Sequence, residues 1–564
     1  MAPISPLDPA LLAQMASAMF GALSVAPAGS QAPGNLAPAG SPLASPAGFA
    51  PGVPGTPIPQ GRMPGTNLMP ASPTQALTPL NRAPALLPSA PAGNGVPDKL
   101  FSAMPAYEPR LGAALLGVAP ASNPSAAPQF YFVDELAPRG GSAAAVPAVP
   151  YSHAPLAGFD VHAVRRDFPT LKERINGHQL VWLDNAATTH KPQAVIDRIA
   201  HFYAHENSNI HRAAHTMAAR ATDAYEGARE SVRRFINAPE VEEVIFVRGA
   251  TEAINLVACS WGATHIHEGD EIIVSHLEHH ANIVPWQQLA QARGAKLRVI
   301  PVDDSGQVLL DEFAKLLNER TRLVAVTQVS NALGTVTPVK EIAAMAQRAG
   351  ACVLVDGAQG VSHMRTDVQD IGADFFVFSG HKVFGPTGIG VLWGKRKLLE
   401  DMPPWQGGGN MIADVTFEKT EYQPIPNKFE AGTGNIADAV GLGAALDYVS
   451  RLGMESIACY EHALLVYGMR ALADIEGVRL IGTAPDKASV MSFVLDGYST
   501  GEVGTALNEQ GIAVRTGHHC AQPILRRFGV ETSVRPSLAF YNTFDEIDQL
   551  AAVVRRLAGR GRIA

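Results

Sequence analysis

The chain holds 564 residues, and within it one pair of residues has the types and spacing to do chemistry. The run VLVD ends on Asp356, and 26 residues later FFVFSGHK ends on Lys382. Each follows an apolar, β-rich stretch, so each belongs where a strand stops. A lysine amine there can hold an aldehyde cofactor as a Schiff base, while the carboxylate keeps a ring nitrogen protonated so that the ring acts as an electron sink. Pyridoxal phosphate chemistry requires that arrangement. A third feature, VRGATEAIN at 247–255, runs from a strand through a glycine turn into a helix. Such a turn offers free backbone N–H groups and the Thr251 hydroxyl to an anion. Taken singly, each feature has a plainer reading: Lys382 as a solvated lysine, Asp356 as a helix cap, Ser379 as a turn residue. Jointly they must explain a lysine hemmed by Ser379, Gly380 and His381 at a strand end, and the plain readings do not.

The elements that must position these residues are legible as alternation. Short β-rich runs at 243–247, 271–275, 297–302, 322–329, 352–356 and 374–379 are separated by amphipathic stretches such as 339–348. This predicts an α/β domain with a largely parallel sheet, whose ligands sit at the carboxyl ends of the strands.

Composition divides the chain in two. Of 43 prolines, 29 fall in residues 1–155, a stretch with no Cys, no Trp and ten charged side chains, whereas the remainder carries the whole formal charge of −8. Prolines at that density remove backbone donors, and the Ala, Gly and Ser between them leave little to bury, so residues 1–155 are expected to be a disordered extension. Three apolar islands interrupt it, at 8–23, 110–118 and 130–136 (FYFVDEL), and they read as short docking motifs or as chance hydrophobes in a linker. No stretch reaches the roughly 18 to 20 apolar residues that cross a bilayer, and the first basic residue is Arg62, so no ordinary signal peptide is expected. A cytoplasmic location and no membrane partner follow as expectations. Mild acidity without a basic run gives no reason to expect nucleic acid as a partner. Cysteines at 259, 352, 459 and 520, with no CxxC pair, fit reduced thiols and no metal site. The first three are expected to be core thiols.

Long strings carry a resemblance over 159–564: VRGATEAINLVA, LEHHANIVPWQ, VSNALGT, VDGAQG, FSGHKVFGPTGIGVLWG, MPPWQGGGNMI, FEAGT and RTGHHCAQP. The body resembles the fold-type-I pyridoxal 5'-phosphate (PLP) enzymes, and within them the type II, SUF-class (SufS-like) cysteine desulfurases. That resemblance implies a PLP-dependent transferase with a large domain (156–425) built on a mostly parallel seven-stranded sheet. It also implies a smaller α+β domain (426–564) bearing the cysteine loop, with segment 156–180 packing on it. By the same resemblance Lys382 forms the Schiff base, Asp356 pairs with the pyridine nitrogen, Gln359 bonds the ring hydroxyl and His279 stacks on the ring. Thr251, Ser379 and His381 would hold the phosphate, joined by Thr433 from a second subunit, which implies a homodimer. Arg535 would clamp the substrate carboxylate, with Asn331 beside it, and Cys520 would be the nucleophile that takes sulfur from L-cysteine as a persulfide. Neighbouring histidines and glycine leave Cys520 polar and accessible, which favours thiolate. A SufE-like or SufU-like protein would accept the sulfur. His211 and Arg212 match a family segment near the active site without an assigned role. Selenocysteine lyase or cysteine sulfinate desulfinase is the nearest alternative activity, and a catalytically idle protein of the same fold is a rival from another class. The extension, in composition and motif style, resembles the cargo-loading region of cysteine desulfurases packaged inside encapsulin shells; otherwise it is an unassigned linker.

Overall fold

In the computed structural model, residues 159–211 and 215–560 are described. The extension with its three islands and Arg212 lies outside them. After a small hairpin at 174–179, the short strand β1 (Val181–Trp182) precedes a seven-stranded sheet formed by β2 (Val244–Val247), β3 (Glu271–Ser275), β4 (Lys296–Ile300), β5 (Thr321–Thr327), β6 (Cys352–Asp356), β7 (Phe375–Ser379) and β8 (Gly390–Gly394). Their spatial order is β2-β8-β7-β6-β5-β3-β4. Only β8 runs antiparallel to its neighbours.

Burial on both faces explains why most of these strands read as continuous apolar runs rather than as alternating ones. Period two survives in what each residue touches. Ile273, Val324, Val326, Val353, Val355, Phe376 and Phe378 join one core, while Ile272, Val274, Leu323, Ala325, Leu354, Phe375 and Val377 join another on the opposite face. A parallel sheet also places the ends of β3, β5, β6 and β7 at one edge. Ser275, Thr327, Asp356 and Ser379 therefore finish side by side although more than one hundred residues separate the first from the last.

The strand β8 is absent from the runs read in the sequence, because glycine at both ends weakens its strand signal. Tertiary context requires that glycine: a Cβ at Gly390 would lie 2.5 Å from Gly249 Cα and 2.6 Å from Phe378 O. The bare backbone lets the turn after β2 approach its neighbour.

Beyond the sheet lie the helix α1 (Ile436–Leu452) and a second, antiparallel sheet. Its strands are β9 (Val478–Leu480), β10 (Phe493–Leu495), β12 (Arg515–Gly517) and β13 (Ser533–Arg535), ordered β9-β10-β13-β12. The short β11 (Ile512–Ala513) pairs in parallel with β1. Backbone bonds from Val181 N to Gly511 O and from Leu183 N to Ala513 O, both 2.9 Å, tie the start of the described chain to this C-terminal region.

Gly390→Ala is expected to destabilise the fold by about 1–3 kcal/mol through overpacking. Gly407→Ala, where a Cβ meets nothing within 4 Å, should change little. Denaturant unfolding of both variants checks this, and equal stabilities would contradict the close approach.

Candidate active site

A cleft of about 790 Å³ opens at the carboxyl edge of the large sheet. Its lining includes Thr251, His279, Asn331, Asp356, Gln359, Ser379, His381, Lys382, Cys520 and Arg535. These come from both sheets, and they are ten of the eleven residues the sequence marked for roles. The eleventh, Thr433, is exposed and is not part of this lining.

Lys382 follows β7 and is half-buried in the cleft wall, and desolvation there pulls its pKa down from the ordinary lysine value, with Asp356 opposing and Arg535 adding to the fall. Burial likewise raises Asp356, against the stabilising pull of Lys382 and of the Ala358 N–H, which donates to Oδ1 at 3.0 Å. Each member of the pair is thus pushed toward its neutral form and partly restored by the other. A neutral amine is the nucleophilic form of lysine.

Beside this pair the turn after β2 leads into the helix Ala250–Val257. Ser379 Oγ accepts the Ala250 N–H at 2.9 Å, which leaves the hydroxyl proton free to donate. A Cβ at Gly249 would come within 3.1 Å of that oxygen. His381 is held near pKa 4 by burial and by the charges of Lys382 and Lys191, so it is neutral. The N-terminal end of a helix, two hydroxyls and a neutral imidazole form an anion-binding set.

His279 caps the turn that follows β3. Its Nδ1 accepts the Ala281 N–H at 3.0 Å, and burial, then Lys382, lowers its pKa to about 3. The neutral ring therefore carries its proton on Nε2. The Nε2 of Gln359 donates to Ala186 O at 2.6 Å, which fixes its amide.

On the facing wall, Arg535 Nη1 donates to Asn331 O at 2.8 Å, and Nη2 lies 3.5 Å from Asp184 Oδ1. Its Nε is buried without a partner, as is Asn331 Oδ1. One edge of the guanidinium is therefore left for a carboxylate. Burial lowers the pKa of Arg535 to about 10, with Asp184 opposing. Asp184 also pairs with Arg515 at 3.2 Å. Both Asp184 and Arg515 escaped the sequence reading. More than three hundred residues separate them, and only the β1–β11 pairing brings them together, so no local signal marks them.

Cys520 is half-buried, and both it and His519 adopt φ near +53°, a strained conformation for residues other than glycine. Surrounding bonds hold the strain in place. His280 N donates to Cys520 O at 2.8 Å, Asn331 Nδ2 to His519 O at 2.6 Å, and the His519 ring meets Ser533 Oγ at 2.9 Å. Cys520 also lies close enough to Lys382 and Arg535 to act on their charges.

The remaining cysteines correct the expectation of core thiols. Cys259 and Cys459 are exposed, and only Cys352 is partly buried. Cys259 falls in a π turn (Ala258–Gly262) and continues the outer face of the preceding helix, one turn after Asn255. Cys459 lies between Ile457 and Tyr460, off the buried stripe of its helix. His211 bonds Glu226 at 2.8 Å and does not line the cleft.

The residues present fit pyridoxal phosphate: a lysine in the cleft wall, a buried carboxylate for the ring nitrogen, and an anion-binding helix start. Comparison with known proteins agrees. The aminotransferase class-V family model matches residues 181–550. A cysteine desulfurase of Synechococcus elongatus is 65% identical over 442 residues, covering 76% of this chain and 71% of that protein. One from Pectobacterium carotovorum is 52% identical over 400 residues, covering 71% and 98%. The crystal structure of the cysteine desulfurase CsdA (S-sulfonic acid) from Escherichia coli aligns with a TM-score of 0.66 at 40% identity, covering 71% of this chain and 99% of that one. The lysine and carboxylate at adjacent strand ends, the fold that aligns them and these matches lead to one conclusion: the chain belongs to the aminotransferase class-V family, as a fold-type-I enzyme dependent on pyridoxal 5'-phosphate.

Proposed function

We propose that this chain is a cysteine desulfurase of the SUF class that converts L-cysteine to L-alanine and carries the released sulfur as a persulfide on Cys520. The observation that supports it most is Cys520 on a strained loop in the wall of the cleft that also holds Lys382 and the open edge of Arg535. Pyridoxal phosphate, when bound, supplies an electron sink that stabilises negative charge on the substrate next to the bond that breaks. Asp356 would face its ring nitrogen and Thr251, Ser379 and His381 its phosphate, with Gln359 at the ring hydroxyl and His279 on the ring face.

The chain's own residues do the rest. The Nε and Nη2 of Arg535 hold the substrate carboxylate beside Asn331, which orients the Cα–H bond toward the neutral Nζ of Lys382. Nζ takes that proton. The Cys520 thiolate then attacks the substrate sulfur: an S–S bond forms, the C–S bond breaks, and its electron pair stays with the substrate carbon. Protonation of that carbon and return of the proton from Nζ to Cα give L-alanine, so the sequence of steps needs no outside oxidant or reductant. A loop position suits a thiol that must then present its sulfur to a SufE-like or SufU-like acceptor. Alanine release measured from cysteine and selenocysteine separates the desulfurase from a selenocysteine lyase.

The exposed Thr433 supports a homodimer. Its segment is anchored through Glu430, which accepts from Arg229 Nη1 at 2.7 Å, Phe246 N at 2.8 Å and Tyr225 Oη at 3.0 Å. That anchor leaves Thr433 facing outward, where it would complete the phosphate pocket of a second copy.

Residues 1–155 we assign to cargo loading into an encapsulin shell. Their composition and the three spaced apolar islands support this. A proline-rich tether with several weak docking motifs gains from effective concentration.

Two experiments test these readings. Cys520→Ala is expected to keep the yellow bound cofactor but lose at least ~100-fold in sulfide release, as expected when a nucleophile that acts with its neighbours as a unit is removed, while Lys382→Ala loses the covalently held chromophore. Full sulfide production by Cys520→Ala would refute the nucleophile assignment. Deletion of residues 1–155 should leave active, cofactor-loaded dimer that no longer co-purifies with a co-expressed shell, and those residues fused to a fluorescent protein should load it. A packaged truncation, or a fusion left outside, would return the region to an unassigned linker.

A further inference from the structure

Next to His279 lies a carboxylate that no step above uses. Glu278 is wholly buried, and among the described residues no arginine or lysine pairs with it. Its Oε1 accepts Ser275 Oγ at 2.5 Å and Thr327 N at 3.0 Å, and its Oε2 accepts Asn282 Nδ2 at 2.6 Å. Every partner is constrained to donate. The Thr327 N–H has no other role. Ser275 Oγ already accepts the Leu277 N–H at 3.1 Å, so its own proton points to Glu278. Trp286 Nε1 is a donor only, and it occupies Asn282 Oδ1 at 2.8 Å, which turns the Asn282 NH₂ toward the carboxylate. Trp286 is itself fully buried, so the orientation is fixed by packing.

The geometry has a consequence for the cleft. Glu278 and Asn282 join beneath the turn and close a ring of five residues, of which His279 is the second. Within that ring Asn282 N also donates to His279 O at 2.8 Å. The same carboxylate grips the backbone of Thr327 at the end of β5, and the next residue, Gln328, donates its N–H to Asp356 O at 2.8 Å. One buried group thus links the turn that carries His279 to the strand ends that carry Asp356.

We propose that Glu278 is a positioning residue, whose carboxylate sets the distance between the His279 ring and Asp356 and so the orientation of the cofactor ring between them. This rests on the reading that His279 faces the ring. Burial raises the pKa of Glu278 to about 7, against the pull of its three donors. The three donors, placed by geometry on both carboxylate oxygens, match the acceptor-only ionised form, and a neutral amide of the same shape does not satisfy all three. In Glu278→Gln the new NH₂ must face one of those donors and leaves it unsatisfied.

The test uses the full-length, cofactor-loaded enzyme. Glu278→Gln is expected to fold and retain cofactor, to change the visible circular dichroism of the bound ring, and to lower kcat about ten- to a hundredfold with KM little altered, as for a misplaced reacting geometry. Ser275→Ala, which removes one donor, should move both readouts in the same direction by less, and it decides the matter if Glu278→Gln does not fold. Wild-type dichroism and kcat, or a loss confined to the thermal midpoint, would overturn the proposal. His279→Ala is the control. If it leaves both readouts unchanged, the reading of His279 fails; if it moves them and Glu278→Gln does not, only the role of Glu278 fails.

Discussion

A half-buried lysine and a buried aspartate held together at adjacent strand ends are the constraint on which this molecule turns. Neither could be buried alone at acceptable cost, since an unpaired charge in a low-dielectric interior is driven to neutrality. Here Lys382 and Asp356 partly restore each other's charge while burial opposes both. Reactivity requires that balance: an amine too well solvated would stay protonated, and one with no counterion would have no reason to sit over a ring-nitrogen partner. The parallel sheet achieves the juxtaposition at no local cost, because β6 and β7 end at the same edge and their backbones are already fully paired.

The second constraint is the cysteine loop. Two consecutive residues in the left-handed region cost about 1–2 kcal/mol each. They persist because the loop is bonded from both sides: His280 and Asn331 reach it from the large sheet, and Ser533 from the small one. A loop held in this way keeps its sulfur at a defined place beside Lys382 and Arg535 while its outer face stays accessible. The network also makes Asn331 do two jobs. Its amide fixes the loop, and its backbone carbonyl fixes Arg535, so the carboxylate clamp and the thiol are placed by one residue.

Around the cofactor cleft, neutral histidines recur. His279, His381 and His519 all have lowered pKa values, and in each burial is the first cause. Positive charge is therefore concentrated on Arg535, where the substrate carboxylate needs it. Imidazoles that stay neutral serve as hydrogen-bond donors and flat surfaces without competing for the same anion.

How much of this was legible beforehand follows from the range of the interactions. Local order was readable. Runs such as 271–275 and 352–356 coincide with strands residue for residue, because β-branched segments between turns have few other options, and Asp356 and Lys382 were identifiable because each stands next to its own strand. The resemblance named the roles of Cys520, Arg535 and His279, and the fold brings them to one cleft. What escaped depends on pairs distant in the chain. Nothing local explains Gly390; the close approach of Gly249 does. Asp184 has no visible partner until β1 meets β11. Nothing near Glu278 in the chain says that Thr327 will donate to it. Cys259 sits in an apolar helical run, and only the packing of that helix shows that its position faces outward. Sequence alone decides which segments become strands and which side chains have the chemistry. Tertiary structure alone decides which of them share a low-dielectric space, because burial, and with it pKa and partnership, is a property of neighbours that the chain brings together only when it folds.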